Sequence, residues 1–292
     1  MSQASGVYLS AHERAIHSRP KAPRGLSARM GAARPCSAGP YPRRTSLFHL
    51  CISQPSAMGH HHSTATGHIR HDSFIRTISP THSFSSFSSK VVNETQLFHC
   101  LPLPRGSRDD IYELQSLRMV LVHNYLIRGY NTILYYAAEV PPSDTNRVNS
   151  FLRYCELINE AASEHHSLEE DTYFPWIESK ISQGAMSINI EGHRAYEDAF
   201  KTVVDTLASI RKGNRDFVPE ELQAVIYSFM TPFLKHLEDE IKTLRADNIC
   251  SIDREDWVQY EEKMEEMLKS RSNPDTTVQL MVINGDGNHG KW

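Results

Sequence analysis

Between residues 107 and 250 the chain repeats one pattern four times: apolar residues recur at three- and four-residue spacing over about six turns, the period of an amphipathic helix. The first run starts after Ser107 as N-cap, with Asp109 and Asp110 in its first turn, carries Leu117, Val120, Ile127 and Leu134, and stops at Pro141-Pro142. The second starts after Ser143 or Asp144, places Phe151, Cys155, Ile158 and Ala162 on one stripe, and runs through Trp176 toward Lys180 with a kink at Pro175. The third covers 189–212, with Phe200, Val204 and Leu207 on its apolar side and Gly213 just past its end. The fourth opens at Pro219 with Glu220 and Glu221 at the positive end of the dipole, carries Leu222, Val225, Phe229 and Phe233, and should bend at Thr231-Pro232. Four such helices joined by short loops predict an all-α protein, an antiparallel up-down four-helix bundle. A charged helix from Asp253 to Ser270 is expected to pack on its outside, followed by a loose tail from Pro274.

Polar residues interrupt these stripes at comparable depth. His123 lies on the first stripe, and the second continues from Ala162 into His165 and Glu169. The third extends back to His193 and Glu197, and the fourth forward to His236 and Glu240. Each helix therefore turns a His inward, and three add a Glu one turn further along the same face. A buried ionised carboxylate without a partner costs several kcal/mol, which a metal ion would offset. One His on an apolar face is more often a core residue than a ligand, but four at one depth point to a metal centre.

Composition bears on what surrounds that centre. The first 90 residues hold eleven Lys and Arg against two acidic residues, so the total of −4 leaves the remainder strongly acidic. Nine of the 16 His also fall in that leader, including the run at 60–62, which has no rigid frame to make it a site. Rich in Ser, His, Pro and Arg, residues 1–105 read as a disordered extension, 106–250 as the bundle, and 251–292 as the peripheral helix and tail. An acidic body excludes a nucleic-acid backbone as partner, and no apolar run approaches the length of a membrane span. Without a secretory apolar stretch the expected location is the cytoplasm. The Arg- and Ser-rich leader also has the composition of a mitochondrial transit peptide. Five scattered Cys without Cys-x-x-Cys support no zinc finger. Glu-x-x-His, the carboxylate-bundle pattern, and His-Glu-x-x-His are both absent, as are phosphate-binding loops.

The segment Glu-His-His-Ser-Leu-Glu-Glu-Asp-Thr-Tyr-Phe-Pro at 164–175 resembles the second-helix signature of the hemerythrin-like (HHE cation-binding) family, and His-Leu-Glu-Asp-Glu at 236–240 resembles its fourth. The resemblance covers about 109–249 and implies a non-haem iron site, two ions with an oxygen bridge, inside the bundle. Carried over by position, it implies His123, His165, Glu169, His193, His236 and Glu240 as ligands. His166, turned about 100° from its neighbour, is expected beside the site or at the surface. The family's oxygen carriers have His-x-x-x-His on the third helix, where this chain has His193 and Glu197; Glu197 is expected as a seventh or bridging ligand. A set of four His and several carboxylates is poorer in nitrogen and favours ferric iron, hence sensing, detoxification or storage over carriage. The small ligand would be oxygen, nitric oxide or peroxide. Two other classes stay open: a di-iron oxidase or peroxidase-type enzyme, and a metal-free helical interaction module. Tyr125, Tyr130, Tyr173, Trp176 and Tyr196 are core-packing residues that could also line an oxygen pocket or gate electron flow.

Overall fold

The structure, a computed structural model, describes residues 97–271 and 274–285, all within the compact unit Cys36–Trp292. The leader up to residue 96, with its His run, lies outside the described residues. The described elements are all helical. They are α1 (Ile111–Ala137), α2 (Thr145–Leu168), a π-helical turn (Glu169–Tyr173), α3 (Phe174–Lys180), α4 (Ser187–Arg211), α5 (Pro219–Thr243), α6 (Ala246–Ile249), α7 (Arg254–Arg271) and α8 (Pro274–Asn284).

Local chemistry sets the ends. Asp110, rather than Ser107, caps α1, its carboxylate accepting from the backbone N–H groups of Tyr112 and Glu113. Asp144 caps α2 by accepting from the N–H of Arg147. Past α4, Gly213 takes a positive φ of 72°, a left-handed conformation that glycine reaches without a Cβ penalty. Pro219 begins α5, and Pro232 is accommodated inside it.

The long helices α1, α2, α4 and α5 pack side by side, each against the next and α5 back against α1. Their shared core includes Val120, Ile127 and Leu134 of α1, Phe151, Cys155 and Ile158 of α2, Val203 and Leu207 of α4, and Ile226, Phe229 and Phe233 of α5. Gly129 allows α1 and α2 to approach closely: a Cβ there would lie 2.7 Å from Cδ1 of Ile158. Val204, expected inside, is 41% exposed, while its neighbour Val203 is fully buried.

Three segments depart from expectation. Residues 97–105, read as part of a disordered leader, run as an extended strap along α1. Asn124 accepts the N–H of Leu101 through Oδ1 (2.6 Å) and donates to its carbonyl through Nδ2 (2.9 Å). One heptad later, Asn131 treats Phe98 the same way at 2.8 Å for both bonds. The segment after Pro274, read as loose, forms α8, which packs against α1; its Leu280 is buried and its Asn284 accepts from the hydroxyl of Tyr154 at 2.9 Å. The expected kink at Pro175 takes the form of the π turn directly before it. Proline offers no N–H and its ring clashes with the carbonyl one turn back, which favours a widened turn. The N–H of Phe174 accordingly donates to the carbonyl of Glu169, five residues earlier.

A second apolar cluster closes one end of the bundle. Ile111 and Tyr112 of α1 meet Tyr173 of the π turn, Phe174 and Ile177 of α3, Ile249 of α6, and Trp257 and Tyr260 of α7. The hydroxyl of Tyr112 donates to the carbonyl of Ile252 at 2.8 Å, tying the start of α1 to the loop before α7. The charged helix α7 is thus peripheral, as expected, but sends Trp257 completely into the interior.

Candidate metal centre

His123 on α1, His165 and His166 near the end of α2, Glu169 in the π turn, His193 on α4, and His236 and Glu240 on α5 converge in the bundle interior beside that end cluster. They form two groups. His166, Glu169, His193 and His236 make one; His123, His165, Glu169 and Glu240 make the other. Within each group the candidate donor atoms lie within 4.8 Å of one another. Donors around one first-row ion, bonded at about 2 Å, lie within about 4 Å of each other, so each group could close on an ion by small side-chain rotations.

Glu169 belongs to both groups. Its Oε1 is 3.1 Å from Nε2 of His165, and its Oε2 is 3.5 Å from Nε2 of His193. Glu240 faces the centre from α5, with Oε2 3.3 Å from Nε2 of His123 and 3.6 Å from Nε2 of His236. Both carboxylates are essentially inaccessible to solvent.

The Nε2 atoms of all five imidazoles, and both oxygens of Glu169 and Glu240, are buried without a well-formed hydrogen bond. Buried polar groups are rarely left so, because each costs about 1–3 kcal/mol. Nine such atoms aimed at one small volume fit cations as the missing partners. Two of the outer nitrogens are held instead. Nδ1 of His193 donates to Oε1 of Glu170 at 2.6 Å, and Nδ1 of His166 lies 2.8 Å from the hydroxyl of Tyr196. An imidazole that keeps its proton on a held Nδ1 presents Nε2 as a free lone pair, the tautomer a metal requires.

Burial sets the charge states. It pushes His123, His165 and His236 down to about 3, and His166 well below its ordinary value, with neighbouring imidazoles adding to the effect. Burial also holds the carboxyl of Glu169 well above the usual range, helped by Glu240. At His193 burial opposes protonation, but Glu169 and Glu170 together raise it to about 9. The four neutral imidazoles with inward lone pairs are metal-ready donors, whereas His193 must release a proton to join them.

Six of the seven residues picked from sequence meet at this centre: His123, His165, Glu169, His193, His236 and Glu240. Glu197 does not. It is exposed on α4 and belongs to neither group. Its expected place assumed an inward step of four from His193, whereas α4 turns inward at His193, Tyr196, Phe200 and Val203, a step of three first. Glu197 is therefore one residue, about 100°, off the inward face. His166, expected beside the site or at the surface, is instead a member of the first group. His165 and His166 straddle the inward direction of α2, one facing His123 with ring centroids 5.3 Å apart, the other facing His193 at 4.5 Å. The adjacent His-His pair was the available sign.

The family comparison agrees with this geometry. Residues 118–245 match the model of the hemerythrin HHE cation binding domain. That stretch belongs to the hemerythrin HHE family. All seven residues of the two donor groups fall inside it, whereas the strap, α7 and α8 fall outside. The chain is also similar to "Dimeric xanthone biosynthesis cluster protein R11" of Cryptosporiopsis sp. (strain 8999), 26% identical over 148 residues, 49% of this chain and 55% of the relative. The chain thus spans about half the length of that curated relative. No solved structure matches it. The matched model is that of a cation binding domain, and the buried His and Glu groups are where this bundle could hold a cation. Among the described residues no helix is long and apolar enough to cross a membrane.

Proposed function

We propose that the chain is an antiparallel up-down bundle holding two non-haem iron ions bridged by Glu169, and that the pair binds oxygen, nitric oxide or peroxide in a sensing or iron-buffering role. The observation that carries this reading is the sharing of Glu169 between both donor groups, each oxygen toward a different set of imidazoles. The same convergence supports these helix directions: His193 lies in the first half of α4 and His123 just before the middle of α1, whereas His165 and His236 lie in the last halves of α2 and α5.

One group offers three imidazoles and a carboxylate, the other two of each. Mixed nitrogen and oxygen sets with open positions suit non-haem iron, which supplies redox change and sites for a small ligand. With His166 counted, the set has five nitrogen donors. A fifth nitrogen donor makes this set less nitrogen-poor than the one expected from sequence, which supports reversible binding of the small ligand as part of sensing. Around the pocket, Phe174 lies 5.7 Å from the ring of His193 and Phe233 lies 5.6 Å from that of His166, walls that exclude water. A di-iron oxidase is the second reading, favoured by the relative's name, which places that protein in a biosynthesis cluster.

Anaerobic loading of the full chain with ferrous iron and then oxidation by air, followed by metal analysis and an optical spectrum before and after azide, tests the proposal. Two irons per chain and a near-ultraviolet band that shifts with azide are expected. Glu169→Gln, which alters the donor shared by both groups, should lose at least one of the two irons under the same loading. A single bound ion, or full occupancy in Glu169→Gln, overturns the paired site. Turnover of peroxide by the loaded chain would select the enzyme.

A further inference from the structure

The side of the pocket toward α3 and α7 is lined by aromatic rings in an unbroken series. Phe174, in contact with His193, is followed by Tyr173 at 6.2 Å between centroids. Tyr173 meets Tyr260 at 5.8 Å and Trp257 at 6.3 Å. Both of these meet Trp176, which stacks on Tyr260 at 4.1 Å and lies edge-on to Trp257 at 4.6 Å. Tyr173, Trp257 and Tyr260 are buried, and Trp176 is half-buried at the outer end.

Packing alone accounts poorly for the ring types. Nε1 of Trp257 and the hydroxyl of Tyr260 are buried without hydrogen-bond partners, and a phenylalanine would fill comparable space without that penalty. Indole and phenol differ from benzene in a further respect: each can lose one electron under biological oxidants. No step between rings that can do so, from Tyr173 outward to Trp176, exceeds 6.3 Å.

We infer that Tyr173, Tyr260, Trp257 and Trp176 form a one-electron conduit between the metal pocket and the surface at Trp176, an inference that rests on the iron reading above. With an oxidised centre bound, Tyr173 would give up one electron while its phenol proton shifts along the hydrogen bond to Oε1 of Gln115; the indole of Trp257, which keeps its Nε1 proton, would refill that ring and draw the proton back, so that the hole moves outward to Trp176. The oxidised indole releases its Nε1 proton to water. A soluble enediol or thiolate reductant then returns one electron, and the proton is regained from water. In the reverse direction, when an indolyl radical at Trp176 draws an electron inward from a phenol, the phenol's proton passes to the indolyl nitrogen that has lost one. The net change is one electron from reductant to metal, with no bond of the protein made or broken. Two of the four rings come from α7, which lies beyond the residues that match the family.

Two measurements test it. In the oxidised, iron-loaded chain, stopped-flow reduction by ascorbate should slow by an order of magnitude in Trp176→Phe, with iron content, spectrum and melting temperature unchanged. Trp176→Tyr, which restores an oxidisable ring, should recover most of the rate. In the metal-free chain carrying Trp292→Phe, a pulse of azidyl radical should form an indolyl radical that converts to phenoxyl in a first-order step independent of protein concentration. Trp176→Phe should suppress that step, as should Tyr173→Phe and Tyr260→Phe combined, which remove the phenols that both branches reach. Unaltered reduction in Trp176→Phe, or no intramolecular conversion, overturns the conduit. Conversion in a chain that fails to bind iron sustains the aromatic path and sinks the metal reading instead.

Discussion

Gly192 lies directly against the imidazole of His236: a Cβ at residue 192 would sit 2.5 Å from Nδ1 and 3.2 Å from Cγ of that ring. The ring is hemmed in on other sides by His193 at 4.4 Å, His166 at 5.4 Å and Tyr196 at 5.5 Å, so it has little room to yield. Gly192→Ala should therefore turn His236 out of line and weaken metal binding by about 10- to 100-fold, the usual range for groups that orient a ligand. The metal-free melting temperature should change little, because alanine gains about 1 kcal/mol of helix propensity against the crowding. Metal titration alongside a melting curve checks both halves.

Glu197→Ala should leave metal content and the optical spectrum as they are, since that side chain is solvent-exposed on α4. Loss of either would restore Glu197 to the ligand set.

Acid should unfold the metal-free chain early. His123, His165 and His236 titrate near 3 in the fold against an ordinary 6.5. The unfolded chain therefore binds more protons between those values, and stability present above pH 6.5 is lost as pH falls toward 3, by on the order of a few kcal/mol per group. His193 acts in the opposite sense. Raised to about 9, it contributes stability that is complete below 6.5 and is lost as pH rises through 9. Melting temperature against pH in chelator should thus fall on both flanks. Bound metal, which competes with protons for the same lone pairs, should hold up the acid flank until lower pH. A profile flat from pH 7 to 4 without metal would contradict the buried neutral imidazoles.

Asn124→Ala should cost about 2–3 kcal/mol, because it strips partners from both the N–H and the carbonyl of buried Leu101. Asn131→Ala, at a partly buried position, should cost about half as much. Chemical denaturation gives the numbers, and limited proteolysis near residues 97–105 should quicken in both variants.

Much of this architecture is legible in the sequence because the inward stripes of α1, α2 and α5 keep a regular period, and their His and Glu residues stand where the apolar ones leave off. What misleads is the use of a single spacing. On α4 the choice of four rather than three after His193 exchanges Tyr196 for Glu197, and the same phase error exchanges Val203 for Val204. On α2, a stripe drawn through one residue cannot show that His165 and His166 share the inward face between two neighbours. The strap and α8 are invisible to periodicity. They are held by side-chain amides of Asn124, Asn131 and Asn284 acting on distant segments, contacts that leave no repeat in the chain.

The π turn at Glu169–Tyr173 works as a phase shifter. It inserts an extra residue between the donors of α2 and the aromatic rings of α3, so the two cannot be drawn on one uninterrupted helical wheel. Deleting Thr172 alone would restore a uniform helix and rotate everything beyond it by about 100°. Phe174 and Ile177 would then leave the interior while His165 and His166 stayed. The length of those five residues, more than their chemistry, keeps the metal pocket and its aromatic wall facing each other.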